Sequence, residues 1–279
     1  MIEILQQLNS LTGLVFVLSS MLAMGMSQSL ADVLAPLQNL KVVAAALLVN
    51  FVISPILALG LCRLIPLQSA HASGLIILSC AAGAPFLPKL AQIAGGSQAY
   101  AVGLMLLQIV VSVIFLPLAL PLLVPGLEAD PFSIARPLFL LMLLPLAIGF
   151  AVALVRAPWV ATLQRVIGRV SNLSLLLVML LLIGLNLKGM ASLFGSFAVA
   201  TFALYVVGML GIGYLLGGAE PSTRSVFALG AGQRNLVAAL VIAGTGFDDP
   251  AVAVMVLIAS LIALVLLLGI ARMMRSGTA

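Results

Sequence analysis

The sequence is poor in charge, and above all in negative charge: of 279 residues only seven are Asp or Glu, against twelve Lys or Arg. At 7% charged and 64% hydrophobic, with a mean hydropathy of +1.34, the chain cannot clothe itself in a hydrated surface, because soluble domains are about a quarter charged. Its two cysteines, Cys62 and Cys80, both lie in apolar stretches, which excludes a disulfide-stapled scaffold and reads as free thiols. There is one histidine, and neither a His-Glu-x-x-His nor a Gly-x-Ser-x-Gly pattern, so no resident metal, no cofactor and no enzyme activity are expected. Polar low-complexity tracts are absent as well, which excludes a disordered chain. The excess of basic residues therefore reads as a device for orienting helices in a membrane and not as a nucleic-acid surface.

What the sequence does have is long apolar runs. Nine are read as transmembrane helices: Leu11 to Leu30, Val42 to Cys62, Ala72 to Ala94, Ala99 to Val124, Pro137 to Val155, Val170 to Leu187, Leu193 to Leu216, Ser225 to Ala243 and Ala251 to Ile270. Most reach the roughly 20 residues needed to cross a bilayer. An all-α, multi-pass protein of the plasma (inner) membrane follows, since a lipid-exposed backbone must satisfy its own hydrogen bonds. Met1 to Ser10 carries Glu3 and no basic cluster, so it reads as mature protein and not as a signal peptide. One set of loops holds Lys41, Arg156, Arg165, Arg169, Arg224, Arg272 and Arg275, the other Arg63, Arg136 and Lys188, which places the N-terminus outside and the C-terminus in the cytoplasm. Two cations, Lys89 and Arg234, are left inside membrane segments, whereas all seven acids fall in loops or at the terminus.

Both intramembrane cations sit at interruptions. The third segment contains Gly83-Ala84-Pro85-Phe86-Leu87-Pro88-Lys89, whose prolines remove helical hydrogen bonds in mid-membrane, and the eighth contains Gly230-Ala231-Gly232-Gln233-Arg234-Asn235. A shift of 149 residues superposes Ala82, Gly83, Leu87, Ile93, Ala94 and Gly95 on Ala231, Gly232, Leu236, Ile242, Ala243 and Gly244. The two interruptions are five segments apart, so the repeat is inverted across the membrane, an arrangement that places a substrate site at the midplane. A central arginine costs at least about 2.5 kcal/mol to insert, which favours a functional role for Arg234. Lys89 can equally snorkel to an interface. Gly103, Gly184 and Gly208 read as points of close helix approach, and Trp159 as an interfacial anchor.

At these motifs the chain resembles the bile acid:sodium symporter family. Met24-Gly25-Met26-Ser27-Gln28-Ser29-Leu30 is similar to that family's Met-Gly-Leu-Thr-Leu-Thr-Leu segment, Asn50-Phe51-Val52-Ile53-Ser54-Pro55 to its Gln-Phe-x-x-Met-Pro helix, and the interrupted segments to its crossing helices. The resemblance implies a core domain, about 42–124 and 193–273, moving against a panel domain, about 9–31 and 137–187. It also implies where the sodium ligands should be, and there this chain departs. Gly230 stands where the family has a glutamate, Arg234 and Asn50 where it has glutamines, and Pro85, Phe86 and Leu87 in place of its Ser and Asn. A fixed arginine would repel a sodium ion at 4 Å by about 4 kcal/mol at an effective dielectric near 20.

The expectation is a transporter of a small organic anion working by alternating access without sodium. Arg234 and Lys89 are the candidate anion-pairing charges. Asn235, Gln233, Asn50, Ser27 and Gln28 are neutral hydrogen-bonding candidates, with Pro85, Gly83 and Gly232 shaping the site. A second reading keeps sodium on backbone carbonyls freed at the interruptions, a third couples protons through His71, Lys89 or the substrate itself, and a sensor or channel is the reading from another class.

Overall fold

The computed structural model describes residues 2–27, 39–124, 127, 130–155, 157–185, 196–247 and 249–276, and among these there are helices and no strand. Among the described residues eight stretches are long and apolar enough to cross a membrane. In chain order the helices are α1 (Ile2–Ser27), α2 (Leu40–Leu64), α3 (Ser69–Cys80), α4 (Leu87–Ala94), α5 (Gln98–Leu123), α6 (Pro131–Leu154), α7 (Pro158–Leu185), α8 (Ala198–Leu216), α9 (Pro221–Gly232), α10 (Leu236–Gly246) and α11 (Pro250–Ser276). The third expected span is the one that is absent from the eight, because the long interruption at 81–86 divides it into α3 and α4, whereas the short one at 233–235 leaves Pro221–Gly246 a single stretch. At 1.5 Å per residue α3 and α4 reach about 18 and 12 Å, each short of a hydrocarbon core of about 30 Å.

Most helices also begin earlier than the apolar runs do, although α8 starts at Ala198 and not at Leu193. Hydropathy marks the stretch in contact with lipid, whereas the backbone stays helical through the polar residues beyond it, so α7 starts at Pro158 and not at Val170. Proline placement explains two local widenings. Val49–Ile53 in α2 and Phe139–Leu143 in α6 are single π-turns, each followed two residues later by a proline, Pro55 and Pro145. A proline has no N–H for the preceding turn and its ring crowds the carbonyl there, and a wider turn accommodates both.

Two groups of helices carry the packing. α1 lies along α6 and α7, and α9 packs on α8 and α4. α11 runs against α3, α4 and α10. The α1–α6 crossing is closed by Gly25 and Gly149: a Cβ on either would collide with backbone of the opposite helix. Of the glycines expected to do this, Gly208 does face Leu57, but Gly184 has open space beside it. Ile114, Leu118 and Leu122 form an exposed apolar stripe along α5, as expected of a surface that meets lipid.

Candidate functional site

The two interruptions touch. In the first, helix α3 ends at Cys80 and the chain runs through Gly83, whose φ of +81° only glycine adopts readily, before Pro88 enters the first turn of α4. The second begins where α9 ends at Gly232, and Asn235 then caps α10 by accepting the Ala238 N–H on Oδ1 at 3.1 Å. Helices α4 and α10 start at Leu87 and Leu236, the very pair that the 149-residue shift superposes. Asn235 donates its backbone N–H to the Ala81 carbonyl at 2.8 Å and its side-chain amide to the Gly83 carbonyl at 2.9 Å. Ser112 on α5 holds the first interruption from another side, accepting from the Ala82 N–H and donating to the Ala82 carbonyl, both at 3.0 Å. The carbonyls of Ala81, Ala82 and Gly83 thus all accept protein hydrogen bonds.

Arg234 is buried beside this junction, at 4% exposure. Its Nη1 donates to Ser54 Oγ at 3.2 Å and to the Ser79 carbonyl at 3.3 Å, and its Nη2 to Asn50 Oδ1 at 2.9 Å and to the Ala231 carbonyl. Nε has no partner among the described residues. Asn50 lies in the π-turn of α2 and Ser54 one turn later, so both face the guanidinium. Ser54 donates its single proton to the Ser79 carbonyl at 2.6 Å, which makes Tyr205 on α8 the donor in the 2.7 Å contact between the two hydroxyls. The Tyr205 ring lies 5.8 Å from the guanidinium carbon, adding a cation–π contact.

No carboxylate meets this charge among its partners. What meets it is the end of two helices: Ser79 is in the last turn of α3 and Ala231 in the last turn of α9. A helix C-terminus carries the equivalent of about half a negative charge, so two of them together balance about one cation. The place of the missing acid is filled by backbone dipoles. Gly230, one residue before Ala231, faces aliphatic side chains, because a Cβ there would lie 3.1 Å from Leu104 and 3.2 Å from Leu87.

Next to this cluster is a cavity of about 620 Å³, within the range of small-molecule sites. Arg234 and Gln233 line its inner end, and α10 contributes Leu236 and Val237. Pro85, Lys89 and Gln92 come from the first interruption and α4, and Ser27 from the end of α1. Helix α7 adds Gln164, Gly168, Ser171, Asn172, Leu175 and Met179. Among the described lining residues there is no acid.

The sequence-derived candidates therefore fall into two sets. Asn50, Arg234, Asn235, Gly83 and Gly232 are brought together in the buried junction, where Gly232 is closed over by Leu210. Gln233, Lys89, Pro85 and Ser27 line the cavity. Lys89 is exposed there and donates to Gln92 Oε1 at 3.0 Å, while Ser27 donates to the Met24 carbonyl at 2.7 Å. Gln28 lies outside the described residues. His71, in the first turn of α3, does not line the cavity. Sequence reasoning missed Ser54 and Tyr205, whose roles depend on contacts distant in sequence. It also missed the α7 wall, although Gln164, Gly168, Ser171, Leu175 and Met179 recur at spacings of three and four, a signal present in the sequence.

A multi-pass helical protein whose two interrupted helices meet beside an acid-free cavity is built as a membrane transporter is built. A sequence model of the Sodium Bile acid symporter family matches residues 14–193, and the chain belongs to that family. The matched stretch includes Asn50, the first interruption and Lys89, and it stops before Arg234. A search of curated proteins returned no match.

Proposed function

We propose that the protein is a secondary transporter of a small organic anion that works by alternating access and does not use sodium. The observation that carries this is the guanidinium of Arg234, held by Asn50 Oδ1, Ser54 Oγ and the carbonyls of Ser79 and Ala231. This is an all-oxygen set of acceptors of the kind a hard cation requires, already filled by a cation that belongs to the chain. The aliphatic surroundings of Gly230 support the same reading, since no glutamate is there to hold a second ion. Sodium on freed backbone carbonyls is disfavoured by the hydrogen bonds that Ala81, Ala82 and Gly83 already accept.

The moving parts in this reading are a panel of α1, α6 and α7 and a core of the remaining helices, with α2–α5 and α8–α11 as inverted triplets of spans. The packing of α1 on α6 and α7 supports the division, as does the position of the cavity between α1, α7 and the interrupted helices. Nine spans, an outside N-terminus and a plasma-membrane location complete it. Flux of a labelled anion into proteoliposomes tests the reading: uptake is expected to be unchanged when sodium is replaced by choline, and uptake that collapses in choline would overturn sodium independence.

A further inference from the structure

Among the described residues two cations line the cavity, but they are not equivalent. Arg234 has its terminal nitrogens engaged by four protein oxygens and is 4% exposed, whereas Lys89 is exposed into the cavity and its one polar partner among the described residues is the neutral Gln92 Oε1. A helix dipole does not compensate it either: Lys89 lies in the first turn of α4, where the local partial charge is positive and repels it. The ammonium is therefore the charge that lacks a counter-charge. An incoming anion gains most by pairing there, in a partly closed space where an ion pair is screened less than on an open surface. A second wall, from α7, supplies Gln164 and Asn172, whose amides can hydrogen-bond a carboxylate or sulfonate without adding charge. Most of the remaining lining is aliphatic, thioether or aromatic.

We infer that Lys89 is the specificity-determining residue of the site, pairing with the anionic group of the ligand while Arg234 serves as the fixed internal cation of the junction. This rests on the reading of the protein as an organic-anion transporter and names the part of the site that recognises the charge. Gln92 holds the ammonium in place before the ligand arrives. The polar stripe on α7 belongs to the wall assigned to the panel, so a headgroup reaching from Lys89 to Asn172 would bridge both domains and couple binding to their relative movement.

The test uses the purified full-length protein in detergent and matched carboxylate and carboxamide pairs: acetate and acetamide, benzoate and benzamide, 2-naphthoate and 2-naphthamide, and cholate and cholamide below the micellar range. Calorimetric titration gives the preference for the charged over the neutral member of each pair. The native protein is expected to prefer the carboxylate at least tenfold in a pair that binds. Lys89→Gln should reduce that preference to below threefold while leaving affinity for the carboxamide unchanged, and Lys89→Arg should keep most of it. A purely structural role would move both members together, and a full preference in Lys89→Gln would overturn the assignment alone. Binding of no carboxylate, or equal binding of both members, by the native protein would overturn the organic-anion reading itself.

Discussion

Asn235 joins the two interrupted helices twice over: its backbone N–H reaches the Ala81 carbonyl at 2.8 Å and its side-chain amide the Gly83 carbonyl at 2.9 Å, while its Oδ1 caps α10 at Ala238. All of this is out of reach of solvent, the residue being fully buried. Asn235→Ala removes a cap worth about 1 kcal/mol and leaves a buried carbonyl short of a donor, a further cost of about 1–3 kcal/mol. Thermal unfolding in detergent should show a Tm lower by several degrees. A Tm within one degree of the native protein would show that the junction does not depend on this side chain.

Arg234→Ala should also destabilise, because it leaves Asn50 Oδ1 and the Ala231 carbonyl without their donor and removes the charge on which two helix ends converge. The expected loss is about 1–3 kcal/mol for each acceptor left without a donor, since the groups left behind are neutral. Methylguanidinium at low millimolar concentration should raise the Tm of this variant and not that of the native protein, since a ligand that refills the vacated space binds only the folded state. Equal responses of the two proteins would argue against a guanidinium-shaped space.

Gly83 and Gly95 allow a paired comparison. Both have positive φ, +81° and +72°, but a Cβ on Gly83 would run into the backbone of Gln108 and Ile109, whereas Gly95 has nothing within 4 Å. Gly95→Ala should cost only the left-handed penalty, about 1–2 kcal/mol. Gly83→Ala adds a collision with backbone and should cost clearly more, and a difference of zero in unfolding free energy would refute the close approach of α5 to the interruption.

Gly149→Ala tests the α1–α6 crossing, where the new methyl would meet the Leu22 carbonyl. Forcing the helices apart should cost about 1–3 kcal/mol, with Gly168→Ala, which has open space, as the neutral control. The two variants should separate cleanly by Tm, and equal values would mean that α1 and α6 tolerate a wider spacing.

Much of this architecture was legible in the sequence, for identifiable reasons. Proline and glycine act locally, so Pro85, Pro88, Gly230 and Gly232 marked the interruptions to within a few residues, and the 149-residue shift aligned the starts of α4 and α10. Arg234 and Lys89 stood out because charge in an apolar run is costly. What the sequence did not disclose was how Arg234 is neutralised. With no acid in the spans, nothing in the composition pointed to the carbonyls of Ser79 and Ala231 at two helix ends, because carbonyl dipoles leave no mark in residue composition. Ser54 and Tyr205 were silent for a related reason: a serine and a tyrosine in apolar helices are ordinary until folding places them 2.7 Å apart.

The tether between Arg234 and the backbone has a thermodynamic side. A dissociable ion enters a carrier from one compartment and leaves into the other, and its concentration ratio does work on the solute carried with it. A guanidinium joined covalently to the chain returns after every cycle to where it began, so it contributes attraction but no net displacement down any gradient. The charge held between Asn50 and Ala231 cannot by itself drive a solute uphill. Accumulation against a gradient would have to be powered by whatever else crosses in the same cycle.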